Sequence, residues 1–453
     1  MSKKYNKTVF FGLQYLIKKY LIEEFDNNFF NRPRNEVINE FKELTEYHLG
    51  NKINCDHIGQ LHDLGYLPLK IKSLPEGTLV PMGVPCSTIT NTHKDFAYLA
   101  TYIQTIFSCT IWPGCNYALV SYLYRQLYKK YSQETCDNDN HIDFQGHLFS
   151  YRGLPSNECA MINGAAHLLS SKGTDSISSI PFVQHYYNER PEAFSVIASE
   201  HSTATSQAQV TSEFDHFLRM LNENPNGIIS IISDSYSYFN VLTEFLPKLK
   251  EKILSRNGKT VIRPDSGDQL HIVCGDPNGK TEAERKGTLI LLDEVFGHTL
   301  NSKGYKVLND KIGCIFGDGF VLDKTEKILE EMKKIGYASS NLVIGQGSWS
   351  YFFLDGKVLN RDFHNWGYKL NWIDVNGHPY NIYKDPITDE HSFKKSAKGL
   401  LYVGRDSITN EYYLEDQVSW EKESQGELRT IFEDGKLLID ENFSTIRERL
   451  NSV

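Results

Sequence analysis

Four short apolar runs recur through the middle of the chain: GIISIIS (227–233), KTVIR (259–263), IGCIF (312–316) and NLVIG (341–345). Each is too short for a helix and apolar on both faces, the signature of strands buried from both sides. Helical sequence lies between several of them, and such alternation implies parallel pairing through right-handed crossovers. In 321–335, Leu322, Ile328, Leu329, Met332 and Ile335 fall on one stripe, and Asp323 with Glu326 reads as a capping box at that helix's start. Every run ends in polar or glycine residues: Ser233-Asp234-Ser235, Arg263-Pro264-Asp265-Ser266-Gly267, Gly317-Asp318-Gly319 and Gly345-Gln346-Gly347. An α/β barrel keeps its active site at such carboxyl ends. An open doubly wound sheet does the same, and periodicity alone does not separate the two.

The flanks have a different character. Segments 8–21 (TVFFGLQYLIKKYL) and 35–49 read as amphipathic helices, and 95–132 returns to helical spacing before a polar loop at 136–141. Between 67 and 90, Leu67, Leu69 and Ile71 alternate, and Pro75-Glu76-Gly77 and Pro81-Met82-Gly83 punctuate short strands. Strand-like text returns after about residue 370 (KLNWIDVNG, HPYNIYKDP, GLLYVGRD, EYYLED) and is expected to pair with the early strands. One β-rich α+β domain made from both ends, 1–90 and 369–453, thus accompanies an α/β domain over 91–368.

A net charge of -9 argues against a general nucleic-acid or membrane-surface binder. The eight cysteines are irregularly spaced without a CxxC pair, which fits reduced thiols better than disulfides or zinc. No secretory signal and no stretch of about 18 apolar residues is present, so a cytoplasmic protein is expected.

Single strand-end carboxylates are usually turn formers or caps. Asp234, Asp265 and Asp318 on successive strands instead converge on one mouth, where they suit ribose hydroxyls or a metal. Arg263, two residues from Asp265 and stiffened by Pro264, adds a cation. The glycines around Gly317 and Gly347 allow close backbone approach and phosphate cradling, although neither cluster matches a nucleotide motif. Phe149 and Tyr151 beside Arg152 suit a flat heteroaromatic ring and an anion. Glu200-His201-Ser202-Thr203 lacks a nucleophile elbow, which excludes a hydrolase; a histidine beside a phosphate pocket can accept a phosphoryl group. Late cations at Arg361, Lys369, Lys384, Lys394, Lys395 and Lys398 form either a solvated face or a pyrophosphate clamp.

Together, SYRGLPSNE (150–158), SKGTDS (171–176), ASEHSTAT (198–205), SDSY (233–236), VIRPDSG (261–267), FGDG (316–319), RDF (361–363), YKDP (383–386) and KKSAKG (394–399) resemble the nicotinamide phosphoribosyltransferase family in order and spacing across nearly the whole chain. The resemblance implies an irregular α/β barrel and a homodimer with active sites at the subunit interface. It implies transfer of phosphoribose from phosphoribosyl pyrophosphate to nicotinamide with Mg²⁺, in NAD biosynthesis, and no dedicated protein metal ligand. By position, Phe149 would stack on the pyridine, Asp175 would accept from the carboxamide NH₂ and Arg263 would donate to its oxygen. Ser195 and Ser230 would join the substrate site, Asp265, Gly317 and Asp318 would address ribose, and Gly347 would lie at the phosphates. Arg152, Arg361, Lys369, Lys384 and Lys394 would hold phosphates, some across the interface. His201 would be the histidine that ATP phosphorylates, oriented by Asp234.

Two departures stand out. The family carries an Asp-Ser-Tyr-Lys segment ahead of the point matching this chain's start, so either weak ring binding or a shortened chain is expected. Gly347-Ser348-Trp349-Ser350 and FFLDGKVLN also differ from the family's glycine-rich loop. The competing readings are a nicotinate phosphoribosyltransferase and a shortened non-catalytic chain that binds ligand or dimerises.

Overall fold

The structure, a computed structural model, describes residues 5–388 and 395–452. The chain divides into two compact units. One comprises Leu119–Pro181 and Pro191–Leu359, the other Met1–Ala118, Phe182–Arg190 and Asn360–Val453.

The first unit is built on seven strands: β1 (Gly146–Leu148), β2 (Gly173–Thr174), β3 (Ile197–Ala198), β4 (Ile229–Ile232), β5 (Thr260–Arg263), β6 (Ile312–Phe316) and β7 (Leu342–Gln346). All pairings are parallel: β1 with β2, β3 with β4, β4 with β5, β5 with β6, β6 with β7, and β7 back to β1 through Ile344 opposite Gly146. One seam remains, between β2 and β3. Phe194, just ahead of β3, bridges Gly173 there, donating to Lys172 O at 2.8 Å and accepting from Thr174 N at 2.9 Å. The strands therefore close into a ring in chain order, which decides for a barrel over an open sheet. Closure through a single bridge makes it irregular.

The apolar runs sit where buried parallel strands must: Ile229, Ile231, Ile262, Phe316, Leu342 and Ile344 are fully buried. Helices Asn157–Leu168, His201–Val210, Leu246–Ser255, Glu282–Phe296 and Leu322–Lys334 lie between successive strands. Helix Leu322–Lys334 buries Thr325, Ile328, Leu329 and Met332, with Leu322 and Ile335 only half-buried. The expected capping box is absent. The N-cap is Val321, which offers no side-chain acceptor, and Glu326 pairs with Lys130 at 3.0 Å instead. Asp323 still favours the helix start by facing the positive end of its dipole.

The second unit centres on an antiparallel sheet in the order Lys436–Leu437, Arg429–Glu433, Leu69–Ser73, Ser87–Asn91. Both chain ends thus meet in one sheet, but through a different strand than expected. Arg429–Glu433 pairs with Leu69–Ser73, whereas Trp372–Val375 with His378–Asn381 and Tyr402–Arg405 with Tyr412–Glu415 form separate hairpins. Residues 8–21 are not one helix. Lys7–Val9 is a strand paired with Leu79–Pro81, and the helix starts at Leu13 after Gly12 turns the chain at φ 107°. Phe107, Ile111 and Cys115 join Phe10, Leu69, Ile71 and Phe432 in this unit's core. That packing places 91–118 here rather than with the barrel. No helix among the described residues is long and apolar enough to cross a membrane.

Candidate active site

The turn after β5 is held from beneath. Gly317 N–H donates to Pro264 O at 2.9 Å, and Gly267 takes φ 89°, which an L side chain rarely adopts. Asp234, after β4, anchors the turn: its Oδ2 accepts Asp265 N–H at 2.9 Å and the Ser266 hydroxyl at 2.5 Å. Its Oδ1 meets His201 Nε2 at 3.0 Å. His201 is the first residue of helix His201–Val210, whose start is fixed by a reciprocal capping box between Glu200 and Thr203. The other ring nitrogen, Nδ1, stands 4.0 Å from Asp265 Oδ2.

Asp265 lies 3.9 Å from Arg263, and both are largely buried. Asp265 Oδ1 and Arg263 Nε have no hydrogen-bond partner among the described residues. Burial pushes the Asp265 carboxyl up from its ordinary value; Arg263 and His201 oppose this, while Asp234 and Asp318 reinforce it. The turn therefore holds more negative charge than its own cation comfortably balances.

A second cluster forms where β1 and β2 end. Asp175 Oδ1 accepts from His147 Nε2 at 2.7 Å and from the Ser195 hydroxyl at 2.6 Å. Burial pushes this carboxyl up, but His147, Ser195 and Arg263 outweigh it and hold it below the usual range. The Arg263 guanidinium lies 4.9 Å from the Phe149 ring centre, and the His147 and Phe149 rings are also 4.9 Å apart. An aromatic face, a cation and an ionised carboxylate thus meet within one cluster.

Glycine is required where these groups crowd the backbone. A Cβ on Gly317 would lie 2.1 Å from Asp265 Oδ1, and one on Gly347 would lie 2.4 Å from Asp318 Oδ1. The carboxylates sit directly over bare backbone after β6 and β7.

Comparison with known proteins identifies the family. A model of the Nicotinate phosphoribosyltransferase (NAPRTase) family matches residues 144–436. A nicotinamide phosphoribosyltransferase of Acinetobacter baylyi is 40% identical over 98% of this chain and 88% of its own length. One from Xanthomonas campestris is 32% identical over 98% and 90%, respectively. The chain belongs to the nicotinate phosphoribosyltransferase family. The crystal structure of human nicotinic acid phosphoribosyltransferase shares the fold, with a TM-score of 0.52 at 13% identity, covering 99% of this chain and 86% of that one.

Of the residues expected from sequence, the barrel brings together Phe149, Asp175, Ser195, His201, Asp234, Arg263, Asp265, Gly317, Asp318 and Gly347. Ser230 lies on β4 with a buried hydroxyl that has no hydrogen-bond partner among the described residues. Arg152 is exposed in the turn after β1. Arg361, Lys369 and Lys384 are exposed and belong to the second unit, and Arg361 pairs with its neighbour Asp362 at 2.8 Å. Lys394 lies outside the described residues. Sequence reasoning missed His147 and Ser266. The signal for His147 was its place two residues before Phe149, at the end of a strand, where extended backbone turns alternate side chains to one face.

Proposed function

We propose that this chain transfers phosphoribose from phosphoribosyl pyrophosphate to nicotinamide, giving nicotinamide mononucleotide and pyrophosphate. The observation that carries this reading is Asp175, kept ionised by His147 and Ser195 within the cluster that also holds Arg263 and Phe149. A carboxamide presents an NH₂ to the carboxylate and an oxygen to the guanidinium. Nicotinate would set a second carboxylate against Asp175 and be repelled.

The pyridine nitrogen attacks the anomeric carbon as pyrophosphate departs, so positive charge develops on ribose. Burial, Asp234 and Asp318 push the Asp265 carboxyl up, so its charged form is costly there. A cationic sugar relieves that cost only as it forms, which is stabilisation specific to the transition state. Phosphate charge falls to Arg152, Arg361, Lys369, Lys384 and Lys394 in this reading. Mg²⁺ would neutralise the departing pyrophosphate. Among the described residues no group of three or more acidic, histidine or cysteine side chains is arranged to hold a metal. The ion would be carried chiefly by substrate phosphates, with Asp265 Oδ1 and Asp318 as the carboxylates at hand.

ATP phosphorylation of His201 belongs to the same proposal. With Asp234 accepting Nε2–H, Nδ1 keeps the lone pair that would attack the γ-phosphorus of ATP as the bond to the bridging oxygen breaks and ADP leaves. The helix start beneath it favours the resulting negative charge. A homodimer is supported by β3: a parallel strand is normally covered, yet Ile197 is 56% and Phe194 51% exposed. Composition fits a cytoplasmic enzyme.

Assaying both pyridines with phosphoribosyl pyrophosphate tests the proposal. Nicotinamide should be preferred in kcat/KM, and Asp175→Ser should lower that preference about tenfold or more. Preference for nicotinate in the wild type would sink the reading.

A further inference from the structure

We infer that His147 is a specificity-determining positioning residue, which fixes Asp175 so that a single carboxylate oxygen faces the ligand. The inference rests on the nicotinamide reading above and assigns the origin of its selectivity. Both side-chain bonds to Asp175 end on the same atom: His147 Nε2 reaches Oδ1 at 2.7 Å and Ser195 Oγ reaches it at 2.6 Å. Oδ2 has no hydrogen bond among the described residues. The carboxylate backbone is also tied down, with Asp175 N–H donating to Leu148 O at 3.1 Å and Ile177 N–H to Asp175 O at 3.0 Å. What remains is one acceptor oxygen in a fixed direction, matched to one N–H of a carboxamide.

The imidazole itself has little freedom. His147 is on β1, opposite Gly173 of β2, and a Cβ on Gly173 would lie 2.9 Å from His147 Nδ1. The glycine therefore makes room for the ring, and the close β1–β2 pairing sets its distance from Asp175. His147 also packs its ring 4.9 Å from Phe149, so it orders the aromatic platform and the carboxylate at once. Ser195 alone is a weaker anchor. It is exposed, and a hydroxyl rotates, whereas the imidazole side chain is only 11% exposed. For this bond the neutral ring must carry its hydrogen on Nε2.

His147→Leu and His147→Gln, beside Asp175→Ser, test the assignment by steady-state kinetics on both pyridines and phosphoribosyl pyrophosphate. His147→Leu should raise the nicotinamide KM about tenfold or more with a smaller change in kcat, since a bond that orders a charged acceptor is lost. Its nicotinamide-to-nicotinate ratio should fall toward that of Asp175→Ser, the phosphoribosyl pyrophosphate KM should hold, and the glutamine, which can still donate, should recover part of the ratio. An unchanged ratio in His147→Leu, with Asp175→Ser shifted, would overturn the role of His147 and leave the nicotinamide reading intact. A wild type that prefers nicotinate would instead remove that reading. Should His147→Leu fail to fold, ¹⁵N-histidine NMR of the wild type decides: a His147 signal with hydrogen on Nε2 supports the assignment, and hydrogen on Nδ1 alone overturns it.

Discussion

Gly317→Ala isolates the carboxylate at the centre of the site. Gly317 lies outside the positive-φ region, so its backbone accepts alanine, and the penalty comes from contact alone. The new Cβ would start 2.1 Å from Asp265 Oδ1, 2.9 Å from its Cγ and 3.1 Å from Arg263 Nε. Reaching even 3.0 Å moves Oδ1 by about 0.9 Å, and side-chain packing leaves little room to turn elsewhere. The stability cost should be modest, about 1–3 kcal/mol for an overpacked methyl. The catalytic cost is larger, because a misplacement of about 1 Å at the reacting centre can cost about 10²-fold in rate. Steady-state assay with nicotinamide and phosphoribosyl pyrophosphate, paired with thermal melting, separates the two. The expected pattern is kcat down about 10²-fold with most of the protein still folded at assay temperature. A folded variant with wild-type kcat would refute the placement of Asp265 against the reacting ribose.

Labelled ATP should phosphorylate the wild type but not His201→Ala; equal labelling would remove His201 as acceptor. Ile197→Asp, which puts a charge on the exposed face of β3, should shift light-scattering mass toward monomer, and an unchanged mass would exclude that face as the interface. Glu76 is buried in the second unit and accepts from Gly12 N, Gln14 N and Tyr187 Oη, yet burial, against these bonds, pushes its carboxyl up to about 7. The folded state then holds a proton that the unfolded state has released, so its contribution to stability, full below about 4.5, is lost as pH rises to about 7. Glu76→Gln should flatten that stretch of the stability profile; an unaltered slope would contradict the assignment. Burial pushes the Cys136 thiol up, but contacts with His141, Ser339 and Thr135 outweigh it and bring it down to about 6. A thiolate band near 240 nm should therefore disappear as pH falls through about 6, and Cys136→Ser should lack it; the same band in that variant would refute the pairing.

The strands that build the barrel were legible because burial on both faces leaves a continuous apolar run, as in 312–316, which matches Ile312–Phe316 residue for residue. Closure was not. It depends on one bridge from Phe194, and β3 is a two-residue strand on an exposed face, so its short apolar text Val196-Ile197-Ala198 does not announce the pairing. The partner of Leu69–Ser73 was equally hidden, since Arg429–Glu433 mixes charged ends with a buried Ile431 and Phe432 while the more strand-like text upstream closes on itself in hairpins. Charged residues at strand ends could be picked by type and position, and the barrel brings Asp234, Arg263 and Asp265 together.

Charge state is another matter. Partial desolvation alone drives an aspartate toward its neutral form, and a neutral Asp175 would no longer repel a nicotinate carboxylate. Its ionisation depends on His147, 28 residues away in sequence on the adjacent strand, and on Ser195, 20 residues on in the other direction. Neither dependence is visible in the local text SKGTDS. On the proposal made above, selectivity for the amide is a property of the β1–β2 pairing that presses His147 against Gly173, and a substitution that loosened that register would change substrate preference without touching a ligand-facing atom.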